Sequence, residues 1–269
     1  MMPHLLILGM GYTASRMAAR LRGEAWQVTG VRRAADDDAL AFHDESAVRA
    51  SIARATHILS SVPPEGEGDP VLTRYADAIA AAPAIWSGYL SSTGVYGDAA
   101  GAWVDEASPT GSDRRAARVK ADRDWRGLRA DLRCFRLPGI YGPRRSAIDR
   151  VREGKAHRVD LPGQIFSRIH VDDIVTGIIA SFSGPPGIYN LADDLPCAQN
   201  RLVEAACGLL NQPLPPLQTL EEARLSSMAR SFYAENRRVA NGRAKRLLGW
   251  SPRYPTYREG LAACLAESG

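Results

Sequence analysis

Lysine is almost missing from this chain. Of its 269 residues, 34 are lysine or arginine, and only Lys120, Lys155 and Lys245 are lysines. The net charge of +4 therefore rests on arginines dispersed among Asp and Glu. There is no basic tail and no basic stripe with interleaved aromatics, which argues against nucleic acid as a partner. Cysteine is scarce too: Cys134, Cys197, Cys207 and Cys264 stand alone, at neither metal nor redox spacing. They read as reduced, buried thiols of a cytoplasmic protein. The five histidines are equally scattered, so no metal site is legible. No apolar run is long enough to cross a bilayer, and the first apolar run lacks a basic leader and a cleavage site, so no membrane association is expected. Repeats and low-complexity tracts are missing, and 45% hydrophobic with 24% charged residues suits an ordinary globular chain with ample core.

What is present begins at once. Leu5-Leu6-Ile7-Leu8 is a short apolar run of the kind buried on both faces of a parallel sheet. Gly9 and Gly11 follow as a turn that lets backbone approach a ligand, and Ala14 is small enough for close helix packing. The stripe Ala14-Met17-Ala18-Leu21 then ends at Gly23. Gly9-x-Gly11-x-x-Ala14 fits the dinucleotide fingerprint, in which a pyrophosphate rests on the amides and positive dipole end of a helix start. Gly9, Gly11, Tyr12, Thr13 and Ala14 are thus the candidate phosphate-loop residues. An ordinary strand–turn–helix, or a methyltransferase built on the same turn, is the alternative.

Trp26–Arg33 reads as the second strand. An acidic residue near its end would bind the adenosine ribose of NAD. Arg32 and Arg33 stand there instead, and guanidinium groups suit the 2′-phosphate of NADP. NADP is favoured over NAD, against the alternative of a solvated arginine pair. A short third strand at Ala41-Phe42-His43, a helix through Val48 and Ile52, and a fourth strand Thr56–Val62 follow. Ser60 and Ser61 sit where a strand end faces the cofactor. A helix over Val71–Ala81 and a fifth strand over Ile85–Ser92 continue the alternation. The expected fold is α/β, a doubly wound parallel sheet (Rossmann fold) with a smaller C-terminal substrate-side lobe. Residues 1–143 are assigned to the nucleotide-binding core, with some later segments returning to it, and 144–269 mainly to the lobe. In that second part, helices are expected at Ser146–Glu153, Val171–Ser181 and Ala198–Leu210, and a strand at Gly187–Leu191.

Three later stretches carry a resemblance. Leu90-Ser91-Ser92-Thr93-Gly94-Val95-Tyr96-Gly97, Arg136-Leu137-Pro138-Gly139-Ile140-Tyr141-Gly142-Pro143 and Arg168-Ile169-His170-Val171-Asp172-Asp173 resemble, in order, segments of the extended short-chain dehydrogenases/reductases, the NAD-dependent epimerase/dehydratase family. Leu248–Pro252 and Tyr257–Leu261 resemble its final segment. The resemblance implies that Pro138 and Ile140 contact the nicotinamide end. It also implies that Thr93, Tyr141, Arg168 and His170 lie on the substrate side, although His170 and Asp172 also suit a helix cap.

The family's chemistry implies a Ser or Thr at the fifth strand end, here Ser92, and a Tyr-x-x-x-Lys on the next helix. Tyrosine's ordinary pKa near 10 needs help from that lysine to move a proton near neutrality. Lys120 stands at a plausible distance, yet four residues earlier stands Ala116. The chain thus resembles an atypical branch that lacks the catalytic tyrosine. Lys120 either holds the nicotinamide ribose or pairs at the surface with Asp124, and Tyr96 is a possible substitute hydroxyl. The expected function is an NAD(P)-dependent epimerase, dehydratase or reductase acting on a small molecule, for example a nucleotide sugar, with a non-standard proton donor. The alternative is a non-catalytic NADP-binding sensor or regulator. The helix carrying Lys120 is crowded with Asp and Arg, which disfavours the family's apolar helical interface, so both monomer and homodimer stay open.

Overall fold

The computed structural model describes residues 2–66, 68–111 and 113–267. From the N-terminus the elements run β1 (His4–Leu8), α1 (Tyr12–Arg22), β2 (Gln27–Arg32), β3 (Ala39–Ala41), α2 (Glu45–Ile52), β4 (His57–Ser60), α3 (Pro70–Ala80) and β5 (Trp86–Ser92). A 3-10 turn at Thr93–Tyr96 leads to β6 (Trp103–Val104), then a second at Asp113–Arg115, α4 (Ala116–Leu128), β7 (Leu132–Leu137) and β8 (Gly139–Tyr141). Next come α5 (Ala147–Arg152), β9 (Arg158–Val159), β10 (Arg168–His170), α6 (Val171–Ala180), β11 (Gly187–Asn190) and α7 (Gln199–Leu210). The last elements are β12 (Leu217–Gln218), α8 (Ser227–Phe232), β13 (Arg238–Val239), α9 (Gly242–Leu248) and α10 (Tyr257–Ala266). No helix among the described residues is long and apolar enough to cross a membrane.

A seven-stranded sheet in the order β11-β7-β5-β4-β1-β2-β3 is the frame, and β1 lies parallel to both β2 and β4. Leu5, Leu6, Ile7 and Leu8 are fully buried, as a strand covered on both faces requires. The order turns back at β1, so its C-terminal end opens where the strand sequence reverses, the usual ligand position in this architecture. The third strand lies two residues earlier than Ala41–His43, because Asp36 bridges Ala39 and starts the pairing there. A 3-10 turn at Asp113–Arg115 leads into α4, and Ser112 lies outside the described residues.

The chain forms two compact units. Unit 1 comprises Met1–Val95, Thr110–Arg136 and Ile178–Tyr189; unit 2 comprises Tyr96–Pro109, Leu137–Gly177 and Asn190–Gly269. Two segments cross a division at residue 143. β11 joins the main sheet, which returns Ile178–Tyr189 to unit 1. β6 pairs with β13, which draws Tyr96–Pro109 into unit 2.

Within unit 1, Asp69 ties two helices to the sheet. Its Oδ1 accepts the Val71 and Leu72 amides, capping α3 behind Pro70, while its Oδ2 accepts Trp125 Nε1–H at 2.8 Å. Trp125 of α4 in turn stacks on Tyr89 of β5, centroids 5.1 Å apart. In unit 2, α5, α7 and α10 pack round Ile148, Leu202, Ala206 and Leu261. Two capping boxes start α5 and α10: Ser146 with Asp149, and Thr256 with Glu259.

Candidate nucleotide-binding and active site

The opening turn is held by its backbone. The Gly9 and Met10 amides both donate to Val31 O, at 3.0 and 3.2 Å, and the Ser15 amide to Gly11 O at 2.8 Å. Gly9 has φ +95°, where an L side chain is strained. A Cβ there would also fall 2.8 Å from Val62 Cγ2 and 3.1 Å from Ser61 Oγ. Ser61 closes this contact by donating its hydroxyl to Gly9 O. Above Gly11 the situation is opposite: a Cβ built there meets nothing within 4 Å. Gly11 is the N-cap of α1 and brings no side-chain cap, so the helix's first amides face that open ground. Thr13 and Ala14 are buried beneath, and Tyr12 is half-buried. This is a cradle in which phosphate oxygens fit the amides and the positive helix end.

Two further groups of unit 1 flank the turn in sequence order. At the end of β2, Arg32 pairs with Asp36, and its Nε is buried without a hydrogen-bond partner. Arg33, 90% exposed, reaches Glu65 at 2.7 Å. Both arginines thus stand at the β2 end with carboxylates as their present partners. At the end of β4, the Ser60 hydroxyl is buried and lacks a hydrogen-bond partner.

At the end of β5, Ser92 is half-buried and its Oγ accepts the Gly94 amide at 3.1 Å. Thr93 is buried in the 3-10 turn that follows. Ala116 is the first residue of α4 and is partly exposed. Lys120, one turn on, donates to Asp124 Oδ2 at 2.6 Å, with half of its side chain in solvent. The surface pairing weighed from the sequence is therefore present.

In unit 2, Ile140 pairs in register with Ile169 and, like Pro138, is half-buried. Three residues expected on the substrate side, Tyr141, Arg168 and His170, are buried. Tyr141 is buried with its ring edge-on to His170, and burial raises its hydroxyl pKa well above the ordinary range. Its Oη lies where Gly260 of α10 has no side chain. Arg168 donates Nη1 to Phe166 O and Cys197 O and Nη2 to Gln199 Oε1. His170, fully buried, accepts the Asp172 amide at Nδ1, which makes it the cap of α6. These surroundings point to roles in holding unit 2 together. Tyr96 is also buried and donates its hydroxyl to Asn190 Oδ1 at 2.8 Å. Arg237 and Arg238 donate to Gly97 O and Gly101 O.

No protein-family model matches the chain. The chain does superimpose on a functionally unknown conserved protein from Silicibacter pomeroyi, with a TM-score of 0.91 and 41% identity over 99% of both chains. The chain belongs to that protein's family. A curated relative, 3-diazoavenalumate denitrifying reductase from a Streptomyces species, is 28% identical over 260 residues, 91% of this chain and 80% of the relative. The human epimerase family protein SDR39U1, solved with NADPH, shares the fold at TM-score 0.79 and 16% identity, over 99% of this chain and all of that one. Epimerases and dehydratases solved with NAD are among the other structural neighbours, and the chain shares their Rossmann-like fold.

Beneath Ser92 lies a network that sequence reading missed. Asp122 of α4, 2% exposed, accepts Arg136 Nε–H at 3.0 Å and Nη2–H at 2.9 Å, and the Ser91 hydroxyl at 2.6 Å. Burial pushes its carboxyl pKa up, but the Arg136 hydrogen bonds and charge bring it below the ordinary value. The network fixes α4, which carries Ala116 and Lys120, to β5, which carries Ser92. The only available signal was Arg136 inside the apolar strand Leu132–Leu137, where an arginine needs a buried partner.

Proposed function

We propose that the chain is an NADP-dependent oxidoreductase of the epimerase/dehydratase/reductase type, acting on a small molecule at Ser92 with a proton donor other than the family's tyrosine. The observation that carries this is the open ground over Gly11 at an uncapped helix start, on a turn where Gly9 admits no side chain. Gly9, Gly11, Tyr12, Thr13, Ala14, Ser60 and Ser61 would hold the dinucleotide. Arg32 and Arg33, at the β2 end where an NAD-binding chain would place a carboxylate, favour the 2′-phosphate of NADP; the orphaned Arg32 Nε fits a further acceptor there. The bound nicotinamide would supply the hydride exchange. Ser92 would orient the substrate oxygen, and Lys120 would leave Asp124 to hold the ribose. Ala116 can supply no proton, and Tyr96, the substitute hydroxyl the sequence offers, donates its own to Asn190. Thr93 is the proposed substrate contact in unit 1. A nucleotide sugar is one substrate class: the structural neighbour MoeE5 was solved with UDP-glucuronic acid and NAD.

Calorimetric titration with NADPH, NADH and S-adenosylmethionine side by side tests the nucleotide. NADPH should bind at least tenfold more tightly than NADH, and S-adenosylmethionine not at all. Equal or reversed affinities would remove the NADP reading.

A second reading is a non-catalytic NADP-binding sensor. Its support is Ala116 and the Lys120–Asp124 pair, which together leave α4 without a proton-moving group. It fails if Ser92→Ala abolishes a measurable turnover while NADPH affinity stays intact.

A further inference from the structure

One face of α4 packs along β5, and its pairing has a gap. Trp125 stacks on Tyr89, and Asp122, three residues earlier, accepts the Ser91 hydroxyl. The helix therefore runs back along the strand, and its start lies level with the strand's C-terminal end. There a Cβ built on Gly94 would lie 2.6 Å from Arg115 Cδ and 3.3 Å from Ser92 Oγ. Arg118 stands on the same face, three residues after Arg115 and four before Asp122. It is half-buried and makes no hydrogen bond or ion pair with a described residue. Asp122 would be its natural i,i+4 partner, but those oxygens are taken by Arg136 and Ser91. Long side chains on a helix lean toward its N-terminus, which turns the Arg118 fork toward the level of Ser92. Its charge is also felt at the buried Tyr89 hydroxyl, where it opposes the pKa rise that burial imposes, so the side chain lies against the sheet. Lys120 lies on the opposite side of the helix and pairs with Asp124.

The path of the dinucleotide reaches that point. Arg32 and Arg33 at the β2 end are the proposed partners of the adenosine 2′-phosphate, and the turn after β1 that of the pyrophosphate. The sheet order β2-β1-β4-β5 carries the remaining half over the ends of β4 and β5, the latter about 10 Å from β1 at ordinary strand spacing. On the way stands Ser60, in register with Tyr89 and so on the same sheet face, whose buried hydroxyl lacks a hydrogen-bond partner. We propose that Arg118 is a further cofactor-binding residue, donating its fork to acceptor oxygens of the nicotinamide half. This rests on the reading that the dinucleotide lies over Gly11. A guanidinium keeps its proton near neutral pH, so Arg118 positions the nicotinamide beside Ser92 and does not replace the tyrosine as an acid. Arg118 and Lys120 sit on opposite sides of α4, so their contributions can be measured apart.

The test is calorimetry on the full-length protein with NADPH and with adenosine 2′,5′-bisphosphate, which lacks the nicotinamide half. Arg118→Met should weaken NADPH at least tenfold and leave the bisphosphate within twofold. Arg118→Lys, which keeps the charge but not the fork, should lose less. Arg123→Met removes the same charge from an exposed position of α4 and should leave both ligands within twofold. Thermal unfolding confirms that each variant is folded. Undiminished NADPH affinity in folded Arg118→Met overturns the proposal, and so does an equal loss for both ligands or an equal loss in Arg123→Met. If wild-type protein binds neither ligand, the nucleotide reading falls and the proposal with it. If wild-type protein prefers NADH, the NADP reading alone falls, and NADH with AMP decides on Arg118 by the same criteria.

Discussion

Asp122 in unit 1 and Asp193 in unit 2 are equally buried, each 2% exposed, yet they are treated in opposite ways. Asp122 receives a two-pronged arginine and a serine hydroxyl, and its carboxyl pKa is held below the ordinary value. Neither carboxylate oxygen of Asp193 accepts a well-formed hydrogen bond from a described residue. Burial raises its pKa to about 7, against which the Arg168 charge pulls only partly, because that guanidinium is spent on Phe166 O, Cys197 O and Gln199. The difference is one of geometry. In unit 1 the strand β7 delivers Arg136 directly to the helix above it, so the charge pair is built by adjacent elements. In unit 2 the arginine is committed to loop carbonyls before it can serve the carboxylate.

Breaking the paired site should give the largest effect. Arg136→Met leaves the Asp122 charge buried with the Ser91 hydroxyl, the Cys134 thiol and the more distant Arg126 to answer it. A loss of about 3–5 kcal/mol is expected, read as a lower urea midpoint. The double variant Asp122→Leu/Arg136→Met should recover most of that loss, since a well-packed apolar replacement removes both charges together. A single variant with the wild-type midpoint would show that the pair does not anchor α4.

pH should separate the two units next. Asp193 is raised in the folded chain from 3.8 to about 7, so its contribution is complete below pH 3.8 and is lost as pH rises through 7. Asp193→Asn should therefore stabilise the protein by a few kcal/mol at pH 8 and hardly at all at pH 4, since each tenfold change in proton affinity is worth about 1.4 kcal/mol. In unit 1, His57 runs the other way. Burial lowers its pKa from 6.5 to about 4, so stability is complete above pH 6.5 and falls as pH drops toward 4. The ring packs against Trp26, Trp86 and Phe182, where Gln would fit poorly but Phe would fill the space. His57→Phe should flatten the acid limb by about 2 kcal/mol. Chemical denaturation at pH 4.5, 6.5 and 8 checks both, and parallel pH profiles for the two variants would contradict the contrast.

How much of this could be read beforehand follows from where the signal lies. β1, the glycine turn and the helices at Ala147–Arg152, Val171–Ala180 and Gln199–Leu210 announce themselves through local patterns, apolar runs, caps and glycines, and the structure has them within two residues. Ser92 and the Lys120–Asp124 pair were equally legible, because one is fixed by a strand end and the other by helix spacing. The buried charges were not. Asp122 follows Ala121 on an otherwise charged helix and reads as part of its solvated face; only the distant Ser91 and Arg136 draw it inward. Tyr141, Arg168 and His170 are the converse case: a family resemblance assigns them to a substrate, and the neighbours they pack with, Gly260, Cys197, Gln199 and Asp172, come from segments whose approach no local pattern reveals.

A tightly packed contact of unit 2 offers a smaller effect. A Cβ on Gly260 would stand 2.0 Å from Tyr141 Oη, inside the cluster formed by α5, α7 and α10. Gly260→Ala should destabilise by about 1–3 kcal/mol through overpacking, despite alanine's better helix propensity. Tyr141→Phe removes the clashing oxygen and a hydroxyl that lacks a partner, so it should be near neutral alone and restore most of the loss in the double variant. Additive behaviour in that cycle would mean that the tyrosine does not lie over Gly260.

The smallest stability change should come from Lys120, and there the contrast moves from folding to function. Its pair with Asp124 is an exposed i,i+4 contact, so Lys120→Ala should shift stability by less than about 0.5 kcal/mol. If Lys120 holds the nicotinamide ribose, the same variant should weaken NADPH binding at least tenfold in calorimetry, while Asp124→Ala, which frees the lysine, should leave it unchanged or tighten it. Asp122 and Arg136 would then matter because they hold α4 and its lysine against β5 and its serine, and Arg136→Met should weaken NADPH in proportion to its effect on stability. Unchanged NADPH affinity in Lys120→Ala would return the lysine to the surface and, with Ala116 beside it, shift the balance toward a sensor. The outcome separates a buried pair that serves a working helix from one that serves the fold alone.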